Sequence, residues 1–242
     1  MIAAMPSRIA AAVDFRVHAD QVAWCALAAA AVAVALRTAL AENPRARLLV
    51  SGGSTPAPVY AALSELPLDW SRVDVGLVDE RWLPPNDPDS NARLACTSLL
   101  VGDAARAAFE PLVRAGNTFE GAVAAANAVP ARRVDVAVLG MGEDGHTASL
   151  FPAADELARS VGEDVDYVAF DATGCPGAGA WPRRISASPA LLARAHTRIL
   201  LLRGVSKRRV FERALAGADP RELPVRLLLA PSATPLQVHW CP

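Results

Sequence analysis

The sequence predicts an α/β fold, a mostly parallel sheet with helices on both faces. Three observations lead there. Short β-branched or leucine-rich runs, such as RARLLV (45–50), VDVGLV (73–78) and TRILLL (197–202), recur along the 242 residues. Helical stretches separate these runs, and strands that alternate with helices pair in parallel. The unusual polar and glycine-rich loops each follow a strand candidate, as loops at the carboxyl edge of such a sheet do.

The elements follow in order. QVAWCALAAAAVAVALRTALAEN (21–43) carries no charge from Gln21 to Leu36, and its ALA at 39–41 mimics a signal-peptidase site. Alanine is only weakly hydrophobic, Asp14 and Asp20 precede the run, and it is short for a bilayer, so a packed Ala-rich helix is expected. RARLLV is a strand, then a Gly/Ser/Thr turn opens a helix over about 56–66. VDVGLV is the next strand. The loop DERWLPPNDPDSN follows, with Asp89 or Ser90 capping a helix that runs to Leu100. A short strand near 109–113, a helix near 118–128 and the strand 134–139 come next, then a weaker strand near 165–170. After TRILLL, GVSKRRVFERAL reads as a turn feeding a helix, and LQVHW as a last strand. No repeat or low-complexity tract interrupts the chain, so one domain over 1–242 is expected.

Composition narrows the function. A content of 52% hydrophobic and 20% charged residues, with a formal charge of −1, is that of a globular protein without a broad basic surface. Neither nucleic acid nor an anionic membrane is an expected partner, and any anion must be held by a local site. Cys25, Cys96, Cys175 and Cys241 stand far apart with no metal-ligand or disulfide spacing. A reducing, cytoplasmic home, no metal and no cofactor are expected.

Three loops carry chemistry. In VSGGSTP (50–56), Gly52 and Gly53 free the backbone to bend, while Ser51, Ser54 and Thr55 set hydroxyls beside N–H groups opening a helix. This turn suits an anion, but without a Walker Lys or a G-x-G-x-x-G pattern it is not a nucleotide loop. LVDERW places Asp79 and Arg81 after a strand, where Arg81 can donate to an oxyanion or phosphate. GMGEDGHTASLF (140–151) is the strongest signal. His146 can serve as a base near neutral pH, Asp144 can orient it, and Gly142 and Gly145 let a small substrate approach. His18, His196 and His239 have no such setting and read as structural. Arg184 and Lys207 are the cations available to offset a phosphate, because a helix N-terminus contributes only about 0.3–1 kcal/mol.

With these loops in order, together with DSNARL, RRIS and GVSK, the chain closely resembles the bacterial-type 6-phosphogluconolactonases, relatives of the glucosamine-6-phosphate deaminases. The resemblance implies a modified Rossmann-like sheet and an enzyme that opens 6-phosphoglucono-1,5-lactone in the pentose phosphate pathway; a monomer is expected. By it, Ser51 to Thr55, Arg184 and Lys207 hold the phosphate, Arg81 and the glycines around His146 line the lactone site, and His146 is the base. The chain departs from the family pattern at Ala153, usually Gly, and at Ser186 and Ser188, usually Thr.

The competing functions are an amino-sugar-phosphate isomerase or deaminase and a non-catalytic phosphosugar sensor. By resemblance the deaminases carry a glutamate where Phe151 stands, and a sensor has no use for His146, Asp79 and Arg81 together. A serine hydrolase is disfavoured because no G-x-S-x-G elbow is present.

Overall fold

In the computed structural model the described residues are 13–129, 132–161, 164–230 and 234–242. Seven strands form one wholly parallel sheet. Across it lie β1 (Val13–Val17), β10 (Leu236–Cys241), β9 (Thr197–Arg203), β6 (Val136–Leu139), β2 (Ala46–Val50), β3 (Val73–Leu77) and β5 (Ala108–Glu110). The first and last strands are neighbours, in register from Val13 opposite Leu236 to Val17 opposite Trp240.

Burial explains the composition of the central strands. Leu48, Leu49, Val50, Val136, Val138 and Leu200 to Leu202 are all at most 1% exposed. Strands covered on both faces lose the apolar/polar alternation and become continuous apolar runs. The helix α1 (Gln21–Glu42) starts at Asp20, whose carboxylate accepts from the Ala23 N–H. Eight of its residues are buried, among them Trp24, Val32 and Leu36. At 22 residues it is long as well as apolar enough for a bilayer, contrary to the short run expected, but this face packs on the sheet, and Trp24 Nε1 donates to the His239 carbonyl at 3.0 Å. The opposite face of the sheet receives α7 (Val205–Ala216). Phe15 of β1 stacks on Phe211 of α7, while its neighbour Arg16 lines the groove beside α1.

The remaining helices are α2 (Ala57–Ser64), α3 (Asn91–Ser98), α4 (Phe119–Ala126), α5 (Asp155–Ser160) and α6 (Pro189–Arg194). Helix α3 is capped by Ser90, whose hydroxyl accepts from the N–H groups of Ala92 and Arg93. The structure adds β1, α5, α6 and the short strands Asp79–Arg81 and Arg183–Ala187 to the elements predicted from sequence, and each is six residues or fewer.

One expectation of parallel pairing fails. The weak strand near 165–170 is β7 (Tyr167–Asp171), which joins no strand of the main sheet. It pairs antiparallel with β8 (Arg183–Ala187), and β8 pairs antiparallel with β4 (Asp79–Arg81), making a separate three-stranded sheet. DERW therefore begins as a strand rather than a free loop. The pairing is long-range, Asp79 opposite Ser186, so local pattern carries no trace of it.

His18 and His239 are buried. Their rings stack with Nε2 of His18 3.1 Å from Nδ1 of His239. Burial, reinforced by the charges of His18 and Arg16, pushes His239 down to about 4. His196 lies exposed just before β9.

Candidate active site

The crevice forms where the sheet changes direction. From β2 the chain proceeds outward to β3, whereas β6, its neighbour on the other side, leads on to β9. Loops leaving two such strands diverge and leave room between them at their carboxyl ends. Ser51 follows β2 and Gly140 follows β6, and both line a crevice of about 240 Å³.

The turn after β2 is tightly held from behind. Ser51 N–H donates to the Val138 carbonyl at 3.1 Å, and Tyr60 of α2 donates its hydroxyl to the Ser51 carbonyl at 2.8 Å. The Ser51 hydroxyl is buried without a partner among the described residues. Gly52 is obligatory for a different reason than flexibility: a Cβ there would lie 1.8 Å from Asn91 Oδ1. Gly53 has φ +96°, which favours glycine. Ser54, Thr55 and Pro56 complete this wall, and Lys207 of α7 reaches it with Nζ 3.4 Å from Thr55 Oγ1. Burial pushes the Lys207 ammonium below the ordinary lysine range, partly offset by Glu143.

The opposite wall carries His146. Its Nδ1 is 2.6 Å from Asp144 Oδ1, and its backbone N–H also donates to that carboxylate at 3.1 Å. Burial pushes the Asp144 carboxyl up, but the hydrogen bond and charge of His146 outweigh it, and the net shift is downward. An ionised Asp144 can only accept, so in the neutral imidazole the proton sits on Nδ1 and Nε2 keeps a lone pair. Phe151 packs on the imidazole at 4.5 Å between centroids and is 1% exposed, fixing the ring plane. The loop closes on itself: Thr147 donates to the Gly140 carbonyl, and Gly142 N–H to the His146 carbonyl.

The short sheet supplies the third side. Asp79 and Arg81 of β4, with Arg184 of β8, line the crevice. Asp79 accepts from Ser149 Oγ at 2.6 Å, and Asn91 Nδ2 donates to its carbonyl at 2.8 Å. Between them Glu80 is fully buried, its carboxylate accepting from Ser90 Oγ and the N–H groups of Arg81, Asn91 and Ala92. Arg81 gives Nη1 to the Asp89 carbonyl at 2.6 Å, and its Nε is buried without a partner among the described residues. The lining thus sets three cations, Arg81, Arg184 and Lys207, against one carboxylate, Asp79.

Of the residues expected here, Ser51 to Thr55, Asp79, Arg81, Gly142, His146, Arg184 and Lys207 line the crevice. Asp144 stands behind His146 rather than facing the opening. Gly145 is turned away altogether. Its φ is +81°, a Cβ would meet Leu223 at 2.5 Å, and its carbonyl accepts from Val225 N–H, so it serves loop packing instead of substrate approach. Arg184 is partly committed: Nε donates to the Trp181 carbonyl at 2.5 Å and Nη2 to the Ala178 carbonyl at 2.8 Å. Asn91, Met141 and Ala148 also line the site without having been singled out. For Asn91 the DSNARL motif was a signal.

The family departures have physical readings. Ser186 Oγ accepts from Ser149 N–H, and Ser188 caps α6 through Leu191 N–H, so the hydroxyls keep their partners without the threonine methyls. Ala153 adopts φ 56°, in the left-handed region. An L-residue there costs about 1–2 kcal/mol, less the entropy glycine loses on folding. Ala153→Gly is expected to raise the thermal midpoint by about 2–4 °C, read by differential scanning calorimetry.

Comparison with known proteins agrees with this architecture. The chain is 49% identical over 204 residues to a 6-phosphogluconolactonase of Xylella fastidiosa strain Temecula1, covering 84% of this chain and 85% of that one. It is 43% identical over 220 residues to the 6-phosphogluconolactonase of Pseudomonas aeruginosa, covering 88% and 89%. The crystal structure of a 6-phosphogluconolactonase from Shewanella baltica superposes with a TM-score of 0.85 at 34% identity, over 95% of this chain and 98% of that one. Residues 19–240 match the model of the glucosamine-6-phosphate isomerases/6-phosphogluconolactonase family, and the chain belongs to that family.

Proposed function

We propose that this chain hydrolyses 6-phosphoglucono-1,5-lactone to 6-phosphogluconate. The observation that carries this reading is one crevice with His146 on one wall and the Ser51–Thr55 turn with Lys207 on the other. Three cations against one carboxylate suit a dianionic phosphate. The phosphate seats on the turn and Lys207, with Arg184 completing the charge balance, and this anchoring delivers the lactone carbonyl to His146. His146 Nε2 takes a proton from water, the hydroxide adds to the carbonyl carbon, and Arg81 stabilises the oxyanion. The imidazolium, steadied by Asp144, then protonates the departing ring oxygen, and the C1–O bond breaks. Asp79 fixes the Ser149 and Asn91 side of the lactone pocket.

The deaminase alternative lacks its carboxylate, because the position it needs is Phe151, buried against the imidazole. One α/β domain acting as a monomer in the cytoplasm completes the proposal: the pairing of the first and last described strands supports the single domain, and the four unpaired cysteines suit a reducing compartment.

The test is to generate the phosphorylated δ-lactone in situ and follow its opening above the spontaneous background, with glucosamine 6-phosphate as control. Acceleration of the lactone alone supports the proposal; turnover of the amino sugar alone refutes it. Lys207→Ala should raise KM about 10–100-fold with a smaller change in kcat, since a charge-assisted contact contributes about 1.5–3 kcal/mol. Because burial lowers the Lys207 pKa, the wild-type KM should climb on the alkaline side at lower pH than an ordinary lysine would dictate.

A further inference from the structure

A second cationic cavity, of about 400 Å³, lies between β5, α4 and β7 and shares no lining residue with the crevice. Its charged lining is Arg47, Arg114, Arg132 and Glu110. Glu110 is taken: Arg132 grips both carboxylate oxygens, at 2.7 and 3.0 Å, and Arg47 Nη2 stands 3.2 Å from one of them. That leaves Arg47 unsatisfied. It is 8% exposed, and its Nε and Nη1 are buried with no acceptor among the described residues.

A buried guanidinium with two idle donors is costly unless something accepts from them. Arg114 is exposed at the rim, so an incoming anion meets it first. Three guanidiniums against one carboxylate leave two positive charges uncompensated, in a chain whose net formal charge is −1. Leu112 and Ala122 supply apolar wall, and the volume suits a small metabolite.

We propose that this cavity is a second anion site, taking the phosphoryl group of a small phosphate monoester between Arg47, Arg132 and Arg114. The dianion balances the positive charge of the lining. The site is independent of the lactone chemistry, and nothing in it requires the crevice to be occupied.

The test is calorimetric titration with inorganic phosphate at constant ionic strength, on the full chain. Lys207→Ala weakens the grip of the crevice while leaving this cavity intact. One equivalent of phosphate should still bind to that variant. Adding Arg47→Met, which keeps the aliphatic stem, or Arg114→Ala should weaken the remaining equivalent about tenfold or more. Arg114 is exposed, so its replacement is decisive even where Arg47→Met does not fold. No phosphate binding in the Lys207→Ala protein, or binding unchanged by Arg114→Ala, overturns the proposal.

Discussion

Replacing His146 by Ala is expected to lower kcat by about 10²–10⁴-fold, or roughly 3–5 kcal/mol of barrier, while KM for the lactone changes little. The separation follows from geometry. In the proposed binding mode the phosphate lies on the turn after β2 and on α7, whereas the imidazole belongs to the loop after β6. Losing the ring removes the base without touching the anchor. The measurement is the rate above spontaneous hydrolysis at several lactone concentrations, with circular dichroism to confirm the fold. Turnover equal to wild type would remove His146 from the mechanism. A loss confined to KM would make it a binding residue.

Gly142→Ala should cost about 10²-fold in kcat although it deletes no functional group. A Cβ at 142 would stand 2.3 Å from both Cε1 and Nδ1 of His146 and 2.6 Å from Asp144 Oδ1. No such contact is tolerable, so the imidazole must leave Asp144 or the loop must shift. A base displaced by about 1 Å can lose that factor even with its chemistry intact. The Phe151 ring behind His146 blocks retreat in that direction. The readout is kcat with KM and thermal midpoint measured together. Wild-type kcat would mean that the ring position seen here is not the one that reacts.

The two substitutions together probe what GMGEDGHTASLF encodes. In the proposed mechanism the histidine supplies the chemistry, and the glycine three residues after Leu139 makes the space in which the Asp144–His146 pair can form. The motif was legible as a chemical loop because no buried strand benefits from ending on Gly, Asp and His. Its internal geometry was not, since Gly142 and Gly145 look alike in sequence yet one borders the imidazole and the other packs on Leu223.

The sequence by itself determined the parallel α/β plan, the α1 helix, the order of the loops, and the residue types able to hold a dianion and move a proton. These are local properties: periodic burial, backbone freedom at glycine, and the pKa range of imidazole. Only the tertiary structure decided that β4, β7 and β8 leave the main sheet, that Asp144 supports His146 from behind, and that Arg184 spends two donors on neighbouring carbonyls. It alone brought Arg47 beside Glu110, Arg132 and Arg114. Those outcomes depend on pairings between residues far apart in the chain. Which polar groups find partners, and which are left idle for a ligand, is settled when distant elements compete for the same donors and acceptors.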